Sequence, residues 1–325
     1  MFLLASLIAP ALAMALSVTG TASTPAKAPT ASRPAQSQTV PGPTTQDPAT
    51  TVDDVDIVGE RGRRLEQLST RFVDEVAAPV PGRGLARWMA PVCVGVVNFR
   101  AEAGRMIADR VAQTAGDLGV PIKEGDCAPN IFIIGTADGA GLAQRMVAEN
   151  RNDFAFAATG THASDVALSD FETSDAPVRW WHVSMPMTVN IVENTAGPAM
   201  RYPGRSPPFV VVFSRSQLHA RRRDDLFRVT VVVDVSKLDG VSVDQLSDYL
   251  VMVAFAQVDP RADTAPYDTV LNLFKAPGRV AGLTDWDRAY LSSLYAAPAD
   301  ERRNGGTQAA ALVERVRQGA ADDPE

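Results

Sequence analysis

The chain has 325 residues, 46% of them hydrophobic, with a formal charge of -7 and a sequence pI near 5.1. That is enough apolar side chain to build the core of one large domain or two small ones. The 31 Lys and Arg, mostly arginines, are scattered among 38 Asp and Glu instead of gathered in a stripe, which speaks against a nucleic-acid partner. The densest basic run, Arg221, Arg222 and Arg223, is followed at once by Asp224 and Asp225 and reads as a solvated face whose field is largely cancelled.

From Phe2 to Leu16 the chain is uncharged and apolar, and it passes into small residues up to Ser23, the profile of an export signal over 1–23. Cleavage after Ala13 or near Ala22 fits, and so does retention as an anchor, the one route to a membrane that the sequence offers. Residues 24–51, dominated by Pro, Ala, Thr, Ser and Gln, lack the large apolar side chains needed to offset ordering entropy and read as a disordered linker.

Folded structure is expected from residue 52. A short strand over 52–59 precedes an amphipathic helix over 63–76, with Leu65, Leu68, Phe72 and Val76 at helical spacing, and the two form an N-terminal piece over 52–89. A main domain is expected over 90–297. It opens with a strand at 92–98, then a helix over 102–118 that Gly119 ends, since a left-handed C-terminal position favours glycine. A second strand (130–135) and a second helix (139–150) complete a β-α-β-α beginning. Strands follow at 178–184, 209–213 and 228–235.

Ser242 and Gln245 have the spacing of a capping box, so a helix starts there. Through Val258 it is apolar on nearly every side and must run through the domain interior, until Asp259 and Pro260 stop it. A last helix begins at Thr284, with Trp286, Tyr290, Leu291 and Leu294 along one side. The stretch 298–325 reads as a flexible tail with a short helix around 309–317. The fold class is therefore α+β, a mixed sheet packed with helices around one buried central helix.

Cys93 and Cys127 are the two cysteines; in an exported chain an even pair tends to join, although two buried free thiols are the alternative. Their spacing, without flanking histidines, does not match a zinc site. Gly240-Val241-Ser242-Val243-Asp244 lacks the second glycine of a nucleophile elbow, and Gly139-Ala140-Gly141 lacks the third glycine of a nucleotide cradle. His162, His182 and His219 are 20 and 37 positions apart, which excludes a helical pair of zinc ligands. No metal, no cofactor and no catalytic residue is assigned. One segment stands out: alternation in 178–184 sends Trp180, His182 and Ser184 to one face and Arg179, Trp181 and Val183 to the other. One tryptophan is expected in the core and the other, beside Arg179 or His182, at the rim of a binding surface.

The order of these elements, closing on Gly282-Leu283-Thr284-Asp285-Trp286-Asp287 before Ala289-Tyr290-Leu291 and Leu294-Tyr295, resembles that of zincin metallopeptidases. It is more similar still to uncharacterised exported bacterial proteins that keep the layout without the catalytic motif. The resemblance implies that the central helix would carry His-Glu-x-x-His. Laid on Asp248-Tyr249-Leu250-Val251-Met252, that motif finds Asp248, Tyr249 and Met252 where zinc ligands and base belong, and no register within the helix recovers a histidine. The expectation is a non-catalytic, periplasmic or cell-envelope domain that binds a peptide, protein or glycan. The alternatives are a hydrolase using carboxylates and His182, and an outer-envelope, receptor-associated module, for which residues 52–59 would supply a docking strand.

Overall fold

The computed structural model describes residues 52–79, 83–123, 125–150, 154, 165–190, 195–198, 220–298 and 304–322. The export signal, the 24–51 linker, the 209–213 strand, His162 and His219 lie outside the described residues. In chain order the elements are α1 (Val52–Val76), β1 (Val94–Val97), α2 (Ala101–Asp117), β2 (Ile131–Thr136), α3 (Gly139–Glu149) and α4 (Asp165–Thr173). They continue with β3 (Val178–Asn190), β4 (Thr195–Pro198), β5 (Ala220–Asp234), α5 (Val243–Phe255), α6 (Asp285–Tyr295) and α7 (Gly305–Asp322).

The strands form one mixed sheet in the order β1-β2-β5-β3-β4. The β1, β2 and β5 strands run parallel, whereas β3 is antiparallel to both of its neighbours. Central strands of a sheet covered on both faces must be apolar on both. β5 meets that requirement: Val229, Val231 and Val233 join the larger core, and Val232 the smaller one on the opposite face. The larger core also takes α1, α2, α5, α6 and α7; the smaller is built from Ala143 and Val147 of α3, Phe171 of α4, and Trp181 and Val183 of β3.

Helix α5 occupies the interior because Leu246 to Phe255 are all buried. Its start is fixed by the capping box that the sequence shows: the Gln245 N–H donates to the Ser242 hydroxyl, and the Ser242 N–H to the Gln245 side chain. Helix α6 begins the same way at Thr284 and Asp287. The Asp287 carboxylate, fully buried, also accepts from the Thr269 hydroxyl and the Val270 N–H, tying α6 to the chain that follows α5. Phe72 of α1 sits edge-on against Tyr267, Trp286 and Tyr290, which anchors α1 to the same core. Gly119 has the left-handed φ of +71° expected after α2. Cys93 and Cys127 form a disulfide with a Cα separation of 6.2 Å, pinning the approach to β1 against the loop before β2. Bonds of this kind persist in oxidising compartments.

Three expectations need correction. Residues 52–59 are the first turns of α1, not a strand. The 298–325 stretch contains α7, which packs on α1 and α6 through buried Ala309, Leu312 and Val313. The charged run before β5's apolar half is itself strand: Asp224 is buried, with the Arg83 guanidinium and the Gly84 N–H on its carboxylate, and Asp225 is paired with Arg223. Among the described residues no helix is long and apolar enough to cross a membrane.

Candidate binding groove

A cavity of about 340 Å³ lies beside β3, within the range of small-molecule and peptide sites. One wall comes from α4 and its C-terminal turn, including Asp170, Phe171 and Ser174; the other comes from Tyr249 of α5 and the chain after it, including Val258, Arg261, Leu271 and Phe274. Between them run residues 178–182 of β3. Trp180 belongs to the larger core and Trp181 to the smaller one on the other face of the sheet. A cavity lined by both must straddle the edge of the strand.

That edge is open. The β4 strand pairs only with 187–190 of β3, so among the described residues nothing pairs with 178–182 on the side away from β5. The phase of the ladder shows which groups point outward. The Asp234 N–H donates to the Pro177 carbonyl and Val178 is opposite Val233, so 177, 179 and 181 exchange hydrogen bonds with β5. The Val229 N–H donates to Asn130 on the β2 side, which gives β5 the same phase. The N–H and C=O groups of Val178, Trp180 and His182 therefore face the cavity, a row of backbone donors and acceptors at the spacing of a strand.

The four residues singled out in the sequence all line this cavity, and the alternation is as read, yet both tryptophans are buried (8% and 6% exposed). The expectation that one would be a rim residue is corrected: each fills a core with its ring. The Trp180 indole donates to the Val258 carbonyl, and its ring stands edge-on to Tyr249, which in turn stands edge-on to Phe274. Trp181 packs against Phe154 and Phe171. Arg179 is structural: its guanidinium donates to the carbonyls of Phe171 and Ser174 at the end of α4, where a helix presents unsatisfied acceptors. Burial lowers its pKa, and the nearby Asp234, Asp175 and Asp138 oppose that shift.

His182 bonds the Val253 carbonyl through Nε2 at 2.7 Å. A carbonyl only accepts, so Nε2 carries the proton. Burial pulls the His182 pKa down from 6.5 to about 4, with the Val253 bond opposing, so the ring is neutral at pH 7 and Nδ1 is an acceptor. Burial raises the Tyr249 pKa above the usual tyrosine range, so it stays a neutral donor. The charged groups are at the mouth: Arg261 meets Asp170, and Lys275 meets Asp263. The cavity is thus an apolar, aromatic slot with a strand edge for a floor, a few neutral polar groups and a charge-balanced rim.

The helix positions that the zincin motif would occupy are used structurally. Asp248 points toward α2, accepting from Arg110 and from the Leu283 N–H; Met252 is fully buried; Tyr249 alone reaches the groove. Among the described residues no three His, Cys, Asp or Glu side chains converge as a metal site would require. Phe274, Arg261 and Asp170 were not marked by sequence, and Tyr249 was marked only as a position of the missing zinc motif. Tyr249 carries the single phenol of a helix apolar on all sides, and the others lie in segments with no motif. A scan against models of known families, a search of curated proteins and a search of solved structures each found no match.

Proposed function

We propose that this chain is a non-catalytic binding domain of the cell envelope that captures an extended peptide segment as an added strand along the free edge of β3. The observation that carries the reading is the slot straddling that edge, with the backbone groups of Val178, Trp180 and His182 directed into it. Peptides that add to a sheet edge gain affinity from main-chain hydrogen bonds and specificity from alternate side chains. Here one set of side chains would face Trp180, Tyr249, Leu271 and Phe274, which suits a bulky apolar residue; the other would face α4, beside Ala176 and Ser174. The edge is flanked by α4 on one side and by the chain after α5 on the other, which favours a peptide over edge-to-edge pairing with a second sheet. A glycan lacks the regular row of amides that this edge would pair with.

Export is supported by the signal-like first 23 residues together with the disulfide. The zincin-like scaffold remains our reading of the layout, supported by an antiparallel strand, β3, that borders a groove lined also by Tyr249 of the buried helix; the motif residues are replaced by groups that hold the fold together. The hydrolase alternative draws on His182, but a base with a pKa near 4 is poorly matched to proton abstraction at pH 7. The receptor-associated alternative loses its docking strand, since 52–59 is helix.

The test is calorimetric titration of the full chain with blocked hexapeptides, beginning with acetyl-Thr-Val-Thr-Phe-Thr-Val-amide, against the same chain carrying Ala176→Trp, which fills the slot. Binding that weakens at least about tenfold in the variant, a loss of about 1.4 kcal/mol, supports the reading. Binding that the variant leaves unchanged, or binding of peptidoglycan fragments in place of every peptide, overturns it.

A further inference from the structure

The two walls of the groove pack on opposite faces of the sheet, and among the described residues a single ion pair joins them: Arg261 Nε stands 3.0 Å from Asp170 Oδ2. Arg261 follows Val258, the residue whose carbonyl holds the Trp180 indole, and Asp170 precedes Phe171, which packs on Trp181. The pair therefore passes across the strand edge close to Trp180. Asp170 Oδ2 makes no directed hydrogen bond in spite of the short distance, and the side chains are 34% and 56% exposed. Such pairs are weak and screened by salt.

We infer that the Asp170–Arg261 pair is a latch over the groove, resting on the reading of the β3 edge as the binding site. Closed, it ties the Arg261 side of the 259–262 turn, whose first residue is already fixed by the Asp259 N–H on the Val76 carbonyl, across the strand edge and covers the outward groups of Trp180. Parted, it lets a strand reach them. The latch sets how often the edge is accessible, and a partner takes its place without needing a charge of its own, because both side chains lie at the groove mouth and water reaches the Asp170 carboxylate once Arg261 moves off it.

The test uses the full chain and the exchange rate of the Trp180 indole N–H, followed by NMR in 0.05 M and 0.5 M sodium chloride. That proton is bonded to the Val258 carbonyl, immediately before the 259–262 turn, so it reports how firmly the entry to that turn stays on the strand, without any ligand. In Asp170→Asn and in Arg261→Gln it is expected to exchange about two- to fivefold faster at low salt, the equivalent of roughly 0.5 to 1 kcal/mol. The double variant should match either single one, and high salt should speed the unmodified chain toward the variants. Unchanged exchange in both single variants, or the same salt response in all four proteins, overturns the latch. Adding the same Thr-Val-Thr-Phe-Thr-Val peptide separates the two ideas: faster association in the variants supports both, whereas altered exchange with no peptide binding in any protein keeps the latch and removes the strand-capture reading.

Discussion

Replacing His182 by glutamine should remove a defined share of the protein's acid sensitivity. The imidazole is 3% exposed, donates to the Val253 carbonyl and has its pKa pulled from 6.5 to about 4 by burial. In the unfolded chain it takes up a proton near pH 6.5; in the folded chain it resists until about pH 4. Between those values the unfolded state binds more protons, so stability falls as the pH falls, with a slope of up to about 1.4 kcal/mol per pH unit. The contribution is fully present above pH 6.5 and reaches a loss of about 3 kcal/mol near pH 4. Burial raises the pKa of Asp225 and of Asp287, whose contributions change in the opposite direction with pH and must be subtracted. The assay is urea unfolding from pH 7.5 to 3.5 for the unmodified chain and for His182→Gln, whose amide can still donate to Val253. The difference curve should be flat above pH 6.5 and bend between 6.5 and 4. An identical slope in both proteins, or an NMR titration of His182 centred near 6.5, would refute the reasoning.

Other perturbations have equally definite expectations. Asp287→Ala strands the Thr269 hydroxyl and the Val270 and Thr284 N–H groups and should cost about 3 kcal/mol, read from the denaturant midpoint. Opening the Cys93–Cys127 bond, which closes a loop with a sequence separation of 34, should lower stability by roughly 3 to 4 kcal/mol, measured by urea unfolding of the Cys93→Ser/Cys127→Ser variant beside the unmodified chain. Ser242→Ala removes the cap of the central helix and should cost about 1 kcal/mol, visible as a shift in Tm.

Much of the architecture was legible because the local signals in question are strong. Ser242 with Gln245, Gly119 after α2 and the apolar run of α5 each follow from backbone chemistry that tertiary context has no reason to override. The failures lie where context does decide. Residues 52–59 read as strand from their valines, but a strand needs a partner, and the chain there instead continues into the helix that carries Phe72. The run from Arg223 to Asp225 reads as solvated surface, because its counter-ion Arg83 is 141 positions from Asp224. The groove was half legible. Alternation assigned Arg179, Trp180, Trp181 and His182 to their faces correctly, but no sequence pattern shows that β4 pairs only with 187–190, which leaves 178–182 without an outer neighbour among the described residues. Tyr249, Phe274 and the Asp170–Arg261 pair converge on it from separate elements, so only the fold brings them together.

The central claim is that an extended chain pairs with the outer edge of β3, and amide hydrogen exchange on the peptide-bound protein tests it most directly. With acetyl-Thr-Val-Thr-Phe-Thr-Val-amide at saturation, the amides of Val178, Trp180 and His182 should slow together, while those of Arg179 and Trp181, already bonded to β5, should change little. Protection that ignores this alternation, or that appears only outside 178–182, would contradict the account.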